Sequence, residues 1–493
     1  MKQFSLLLAC FILSSAFACS KNNTVLNPSD NDKNDPPQEE QPYDVQAYYV
    51  SDDGSNRMAS KPLRFGEETN LHIDGTITLD PSDKFQKIDG FGFAITGSAA
   101  YNLSKMNPES RKAFLTRIFS PKEGYGCSYV RIPIGCSDFS LSEYTCCDRE
   151  GIENFALTRE ETDYIIPMMQ EILAINPDVK VISAPWTAPR WMKTNGEWTS
   201  GNLKPECYQD YATYFVKWIE AFENKGIKIH GVTPQNEPLN RGNSASMYMS
   251  WEEQRDFIKK ALGPKFEAAG VDTKIYVFDH NYNYDGISEQ QHYPLHIYKD
   301  AEASKYIAGA AYHNYGGSAS EMTYVHNQNP DKELIFTEWT AGTWSYPGVG
   351  INAVTTDAKA LIFDVLQNWG QGSVVWNLLL DSERGPFRPG GCETGNGAVD
   401  INKKDYETLT YNSFYYVICS AAAAVSQDAV RIATEGTVPD VNCVAFENKD
   451  GYGLILMNTS DYERRIRVKQ GDKFFITLIP KKTLASYRWY ILA

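Results

Sequence analysis

The sequence predicts an α/β fold, a closed (β/α)8 TIM barrel with a β-sandwich domain attached at its side and built from both chain ends. Two observations carry this. From about Lys87 to Asp405, short apolar runs alternate with longer amphipathic segments, the rhythm of buried parallel strands covered by helices. Before and after that stretch the chain is strand-rich and helix-poor, and the few leading strands could not bury a face alone. At 493 residues there is chain enough for one large core and a smaller satellite.

The first residues form a targeting segment. Lys2 precedes an apolar run from Phe4 to Phe17, and Ala16-Phe17-Ala18-Cys19 supplies a small-residue cleavage point, so residues 1–18 are expected to be a signal peptide. The run is too short for a permanent membrane span. A cysteine directly after the cleavage point is similar to a bacterial lipobox, which implies acylation of Cys19 and anchoring to the lipid bilayer of an exported protein, at the outer membrane and cell surface. Residues 19–43 are dominated by Asn, Asp, Lys, Pro, Gln and Glu and read as a flexible tether.

The pieces Gln46–Val50, Leu71–Ile73 and Thr76–Leu79, separated by Gly, Asp and Pro turns, place the N-terminal sandwich strands within residues 44–85. Barrel strands are expected near Ile88–Phe93 and at Ser128–Pro133, Lys180–Ala184, Gly231–Pro234, Lys274–Phe278, Ile307–Tyr312, Leu334–Thr337 and Ser373–Asn377. Eight strands favour closure over an open sheet. Helical spacing covers Thr158 to Ile175, behind a Thr158-x-x-Glu161 capping box, and recurs over Tyr208–Phe222 and Ser250–Leu262. The barrel is thus assigned to 86–405. Residues 406–493 complete the sandwich with strands at Val441–Phe446, Gly453–Asn458, Arg465–Val468 and Phe474–Leu478.

Composition narrows the function. The 62 acidic and 47 basic side chains leave a formal charge of -15, which repels a polyphosphate backbone, so no nucleic acid partner is expected. Aromatics are abundant, with 30 Tyr, 23 Phe and 10 Trp, and flat rings with a polar edge suit sugar stacking as well as core packing. Only seven His are present and no zinc-type cluster, so neither a catalytic metal nor a cofactor is expected. The Asp89-Gly90-Phe91-Gly92-Phe93 stretch fits neither nucleotide-loop pattern and reads as a turn and loop at the barrel bottom. No G-x-S-x-G elbow is present. Eight cysteines beyond Cys10 and Cys19 are compatible with disulfides or with buried thiols.

In such barrels, polar residues just past a strand face the active site. That rule selects Asp138, Trp186, Asn236 with Glu237, Asp279 with His280, His313 with Tyr315, Glu338, and Asn377 with Asp381. Glu237 and Glu338 each follow a strand and lie about three β/α units apart, at roughly 30 to 40 residues per unit, across the barrel mouth. Retaining glycosidases need two carboxyls about 5 to 5.5 Å apart, one to protonate the leaving oxygen and one to attack the anomeric carbon. Glu237, between Asn236 and Pro238, takes the acid/base role. Glu338 takes the nucleophile role, kept ionised by groups such as Tyr315 or His313.

These segments together resemble glycoside hydrolase family 30, the family of glucosylceramidases and microbial β-1,6-glucanases. The matching runs are Ile88-Asp89-Gly90-Phe91-Gly92, Val130-Arg131-Ile132-Pro133 with Asp138-Phe139-Ser140, and Ala184-Pro185-Trp186-Thr187-Ala188-Pro189. Pro234-Gln235-Asn236-Glu237-Pro238, His313-Asn314-Tyr315, Thr337-Glu338 and Trp376-Asn377-Leu378 continue the series in order. The resemblance implies a retaining mechanism with Glu237 as acid/base and Glu338 as nucleophile. It places Asp138, Trp186, Asn236, His313, Tyr315 and Trp376 around the sugar under attack, and Asn377 is added to that set. After Tyr415 the family's glycine-histidine-phenylalanine-serine run is replaced by Ile418-Cys419-Ser420-Ala421-Ala422. The expected substrate is a β-glucan polysaccharide or oligosaccharide, with endo-β-1,6-glucanase activity first and glucosylceramidase or exo-β-glucosidase second; β-xylanase and β-1,6-galactanase are further alternatives. Loop residues Ser382 to Asn396, with Arg384 and Arg388, are expected to shape subsites beyond the scissile bond. A non-catalytic glycan-binding lipoprotein would keep the tryptophans but would not need both glutamates.

Overall fold

A computed structural model describes residues 44–282, 286–345 and 350–491. The expected signal peptide, Cys19 and the tether lie outside these residues. Eight parallel strands close a barrel in sequence order: β1 Gly90–Ala94, β2 Tyr129–Pro133, β3 Lys180–Ala184, β4 Gly231–Val232, β5 Lys274–Asn281, β6 Ile307–His313, β7 Glu333–Glu338 and β8 Gly372–Val375. The strand expected near Ile88–Phe93 is β1, and the second reading of its glycine-rich stretch as a bottom turn and loop is thereby corrected. Its glycines serve close strand approach: a Cβ on Gly92 would lie 1.6 Å from the Tyr129 carbonyl oxygen, and one on Gly372 1.9 Å from that of Gly90. The seams joining β1 to β2 and to β8 therefore tolerate no side chain at these points.

The barrel interior is filled in layers. Tyr129, Ile182, Tyr276, Ala311, Ile335 and Val374 make an apolar plug, one residue from each of six strands. Two positions further along β2, β6 and β7 the same inward face carries Arg131, His313 and Thr337, because strand residues alternate sides. The floor of the site is thus a polar layer resting on a greasy one. On β5 the register slips between Phe278 and His280, and Phe278 and Asp279 adopt φ of 74° and 67°. This bulge turns Asp279 inward to join the polar layer.

Beside the barrel lies a nine-stranded sheet, in the spatial order Lys473–Ile479, Arg464–Gln470, Gly75–Lys87, Val430–Glu435, Val441–Asn448, Gly451–Asn458, Thr483–Tyr490, Val45–Ser51, Arg57–Ser60. Strands from both chain ends are interleaved in it. The sheet folds over its own core of Val45, Tyr49, Ile77, Leu454, Val468, Phe475, Tyr487 and Trp489, among others. Non-adjacent strands meet across that core, where Tyr49 Oη lies 2.7 Å from Thr477 Oγ1. Helix Ser413–Ala424 packs against both β1 and Thr483–Tyr490. Its Ile418–Ala422 segment is buried throughout, and Tyr415 stacks on Phe93 at 6.0 Å. Small side chains there let the sheet come close: a Cβ on Gly453 would lie 2.1 Å from the Ala424 carbonyl oxygen. No helix among the described residues is long and apolar enough to cross a membrane.

Candidate active site

At the C-terminal mouth of the barrel a cavity of about 340 Å³ is lined by Asp138, Phe139, Trp186, Glu237, Asn240, Asn243, His280, Asn281, Tyr315, Glu338, Thr340, Trp344, Trp376 and Cys392. Seven residues selected from the sequence, Asp138, Trp186, Glu237, His280, Tyr315, Glu338 and Trp376, therefore meet there. Asn236, His313 and Asn377 stand behind the wall. Asn377 is fully buried, and its Oδ1 accepts from the Thr96 hydroxyl at 2.6 Å. Arg388 is not a subsite group. It is buried, and it reaches the Ser137 carbonyl oxygen, Glu143 and Ser244, tying three loops together.

Strand β4 is only two residues long, and the chain after it is held by the Thr233 N–H to the Ser183 carbonyl at 3.0 Å and the Asn236 N–H to the Pro185 carbonyl at 2.8 Å. Glu237 follows with φ 45°, its N–H donating to the Asp279 carbonyl at 2.9 Å. A non-glycine residue in this region is strained and is kept there by its surroundings. Its Oε2 accepts from Asn240 and Asn243 at 2.8 and 2.9 Å, and its Oε1 lies 3.3 Å from His313 Nδ1. Glu338 ends β7. Its Oε2 accepts from Arg131 Nη1 at 2.5 Å and its Oε1 from the Tyr315 hydroxyl at 3.1 Å. One carboxylate oxygen of Glu237, one of Glu338 and a ring nitrogen of His313 all lie within 4.8 Å of one another.

Beneath the two glutamates sits a hub centred on Asp279, which the strand-end rule selected without a role, and on Arg131, which it did not select. Asp279 accepts from Arg131 Nη2 at 2.9 Å, from the Thr233 and Thr337 hydroxyls at 2.6 Å each, and from His313 Nε2 at 3.0 Å. Burial alone would raise its pKa, but Arg131, His313 and Thr233 outweigh that and hold it below the carboxylate range. Arg131, itself 1% exposed, spans Asp279, Glu338 and the Asn236 Oδ1, the last at 2.7 Å from Nη2. Its guanidinium also lies under the rings of Trp186 and Trp376, at 5.0 and 5.3 Å, and these two stack on one another at 5.0 Å. A charged residue inside the apolar run Val130-Arg131-Ile132 was the available signal, since an unpaired guanidinium is not buried.

Charge distribution follows from these contacts. Burial would lower His313, but Glu338, Asp279 and Glu237 raise it to about 9, so it is an imidazolium at neutral pH. Burial would raise Glu237, but the His313 hydrogen bond, the His280 and His313 charges and Asn240 bring it to about 2. For Glu338, burial and the Glu237 charge outweigh His313 and Arg131, and its pKa lies above the ordinary value. Asp138 is pushed up to about 8 by burial and then by the charges of Glu338 and Glu237, and its Oδ1 has no partner among the described residues. It is a protonated carboxyl facing the cavity. By residue type, Glu237, His313 and Glu338 also form a metal-ligand triad. Arg131 at 2.5 Å from Glu338 and the charged His313 oppose a cation there.

Residues 88–405 match the model of the glycosyl hydrolase family 30 TIM-barrel domain, and residues 428–487 match that of the family's beta sandwich domain. A solved endo-β1,6-glucanase superposes with a TM-score of 0.88 and 53% sequence identity, covering 91% of this chain and 100% of that one. The endo-1,6-β-D-glucanase of Neurospora crassa is 29% identical over 462 residues, 88% of this chain and 91% of its own. The lysosomal acid glucosylceramidase of Mus musculus is 28% identical over 450 residues, 84% and 83% of the respective chains. A family model spanning most of the chain, a closed parallel barrel and an interleaved sandwich agree: the chain belongs to glycosyl hydrolase family 30.

Proposed function

We propose that the protein is a retaining endo-β-1,6-glucanase in which Glu338 attacks the anomeric carbon and Glu237 serves as acid and then base. The observation that carries the mechanism is the approach of the two carboxylates to within 4.8 Å, the short separation of double displacement rather than the roughly 6.5 to 9.5 Å of inversion. In the first half, Glu338 Oε forms a bond to the anomeric carbon as the bond to the leaving oxygen breaks, and that oxygen takes a proton from Glu237. In the second half, Glu237 removes a proton from water, whose oxygen displaces Glu338 and leaves the product with its original configuration.

The acid proton comes from the imidazolium of His313, whose Nδ1 faces Glu237 Oε1. Moving it across that contact neutralises both partners and readies Glu237 beside the leaving oxygen, while Asp279 holds Nε2. Arg131 and Tyr315 stabilise Glu338 as the attacking anion. The protonated Asp138 donates to a sugar hydroxyl, and Asn236, through its Oδ1, holds Arg131 in place beneath the site. The 53% identity to an endo-β1,6-glucanase favours that linkage over glucosylceramide.

The substrate reading is tested by incubating purified protein with β-1,6-glucan, β-1,3-glucan, xylan, galactan and glucosylceramide and sizing the products. Release of β-1,6-linked oligomers of several lengths, with retained configuration by proton NMR, is expected; cleavage confined to another member of the panel overturns it. Export and anchoring through acylated Cys19 belong to the same proposal, since a surface anchor suits a polymer too large to import. Globomycin treatment or Cys19→Ala should release the protein from the membrane fraction, and unchanged membrane association would remove the anchor.

A further inference from the structure

At the lip of the cavity, on the loop after β7, Trp344 is 53% exposed, whereas Trp186 and Trp376 in the same cavity are 2% and 1% exposed. The loop is pinned. The Thr343 N–H donates to the Thr394 carbonyl at 3.0 Å, the Asn396 N–H to the Ala341 carbonyl at 2.8 Å, and Thr340 Oγ1 to the Asn396 carbonyl at 2.8 Å. The Ser345 N–H closes a turn on the Gly342 carbonyl at 2.9 Å. The six-membered ring of the indole packs against Gly342, where a Cβ would come 2.3 to 2.6 Å from its Cζ3, Cη2 and Cε3. Part of the ring is thus fixed against backbone while the residue as a whole stays largely open to solvent. A large, rigid, exposed aromatic face beside a sugar cavity is costly to leave bare in water and well suited to the apolar face of a pyranose.

We propose that Trp344 is the stacking platform for the sugar unit on the leaving-group side of the scissile bond. This rests on the glycosidase reading of Glu237 and Glu338. The ring under attack occupies the space between those carboxylates, above the stacked Trp186 and Trp376. The leaving oxygen must sit beside Glu237, so the departing sugar extends out of the cavity, whose lining includes Asn240 and Asn243 on the Glu237 loop and the exposed Trp344. Because a β-1,6 linkage places a rotatable CH2 between the two rings, a fixed aromatic surface is an economical way to select one orientation of the departing sugar.

The test compares Trp344→Ala with wild type on three substrates: β-glucosyl fluoride, whose leaving group carries no sugar; β-gentiobiosyl fluoride, which adds a sugar only on the non-leaving side; and a β-1,6-glucotriose. The expected result is a kcat/KM on the triose lower by about tenfold, the size of one well-packed aromatic contact, with both fluorides within about twofold of wild type. Trp344→Phe should recover most of the loss. Gly342→Ala, which displaces the ring without removing it, should reproduce the selective loss on the triose. Equal losses on all three substrates, no loss on any, or a loss on gentiobiosyl fluoride would each overturn the proposal. Wild-type protein that cleaves the fluorides but not the triose would instead refute the β-1,6-glucan reading and leave the catalytic pair standing.

Discussion

His313 bridges two carboxylates, its Nε2 3.0 Å from Asp279 and its Nδ1 3.3 Å from Glu237. The imidazole is thereby fixed in orientation, and the proton on Nδ1 is aimed at the residue that needs it. This makes the basic limb of the pH profile a property of the histidine rather than of the glutamate. Activity is expected to fall as pH rises through about 9, where His313 gives up its proton, and on the acid side to fall below a pKa higher than that of an ordinary glutamate, where Glu338 becomes protonated. His313→Asn should remove the basic limb near 9 and lower kcat; a kcat/KM profile with that limb unchanged would assign it elsewhere.

Asp138 predicts a second, lower component on the same limb. Its carboxyl is neutral below about 8 and donates a hydrogen bond; above that it turns into an anion beside two others. Asp138→Asn keeps a donor without the titration, so it should retain most activity at pH 7 and extend it to higher pH. Asp138→Ala should lose about 10- to 100-fold in kcat/KM, as expected for one lost charge-free hydrogen bond plus an unfilled space. Equal loss in both variants would remove the donor role.

Glu338→Gly should cut turnover by on the order of a thousandfold or more, since a positioned nucleophile is worth a very high effective concentration. Added azide should restore cleavage of an activated aryl glucoside and yield the α-glycosyl azide. Glu237→Ala, rescued by azide after Glu338 has reacted, should give the β-azide instead. The opposite pairing of products, read by NMR, would exchange the two roles.

Arg131→Met should destabilise the barrel by about 3 to 5 kcal/mol, because Asp279 and Glu338 would remain buried without their cation. Arg131→Lys should recover only part of this, since a single ammonium cannot hold Asp279, Glu338 and Asn236 in the forked geometry. Thermal unfolding measures both, and a Lys variant as stable as wild type would show that charge alone suffices.

Most of the barrel was legible because its strands are short apolar runs with a constant spacing, and the two glutamates were legible because each follows such a run. What sequence reasoning missed depends on geometry without a local signature. The positive φ at Phe278 and Asp279 comes from a bulge set by pairing with β6, and without it Asp279 would not reach four donors. Asn240 and Asn243 looked like loop polar residues, yet the strained backbone at Glu237 places both within reach of its Oε2. Trp344 was indistinguishable from a core tryptophan until its exposed face and its glycine bed were seen together. Arg388 illustrates the reverse error: a basic loop beside a polar substrate invites a contact, but Arg388 is sealed under the loops it joins.

Strand Val45–Ser51 pairs along its whole length with Thr483–Tyr490, so two strands far apart in the chain are immediate neighbours in the sheet. Its other neighbour is the four-residue Arg57–Ser60 hairpin arm, too small to shelter it. The satellite sheet therefore cannot close on local contacts and assembles only once these distant segments meet. Loss of the final dozen residues would strip the middle of the sheet rather than trim its margin, opening a gap between Gly451–Asn458 and Val45–Ser51 that no neighbouring strand is placed to close.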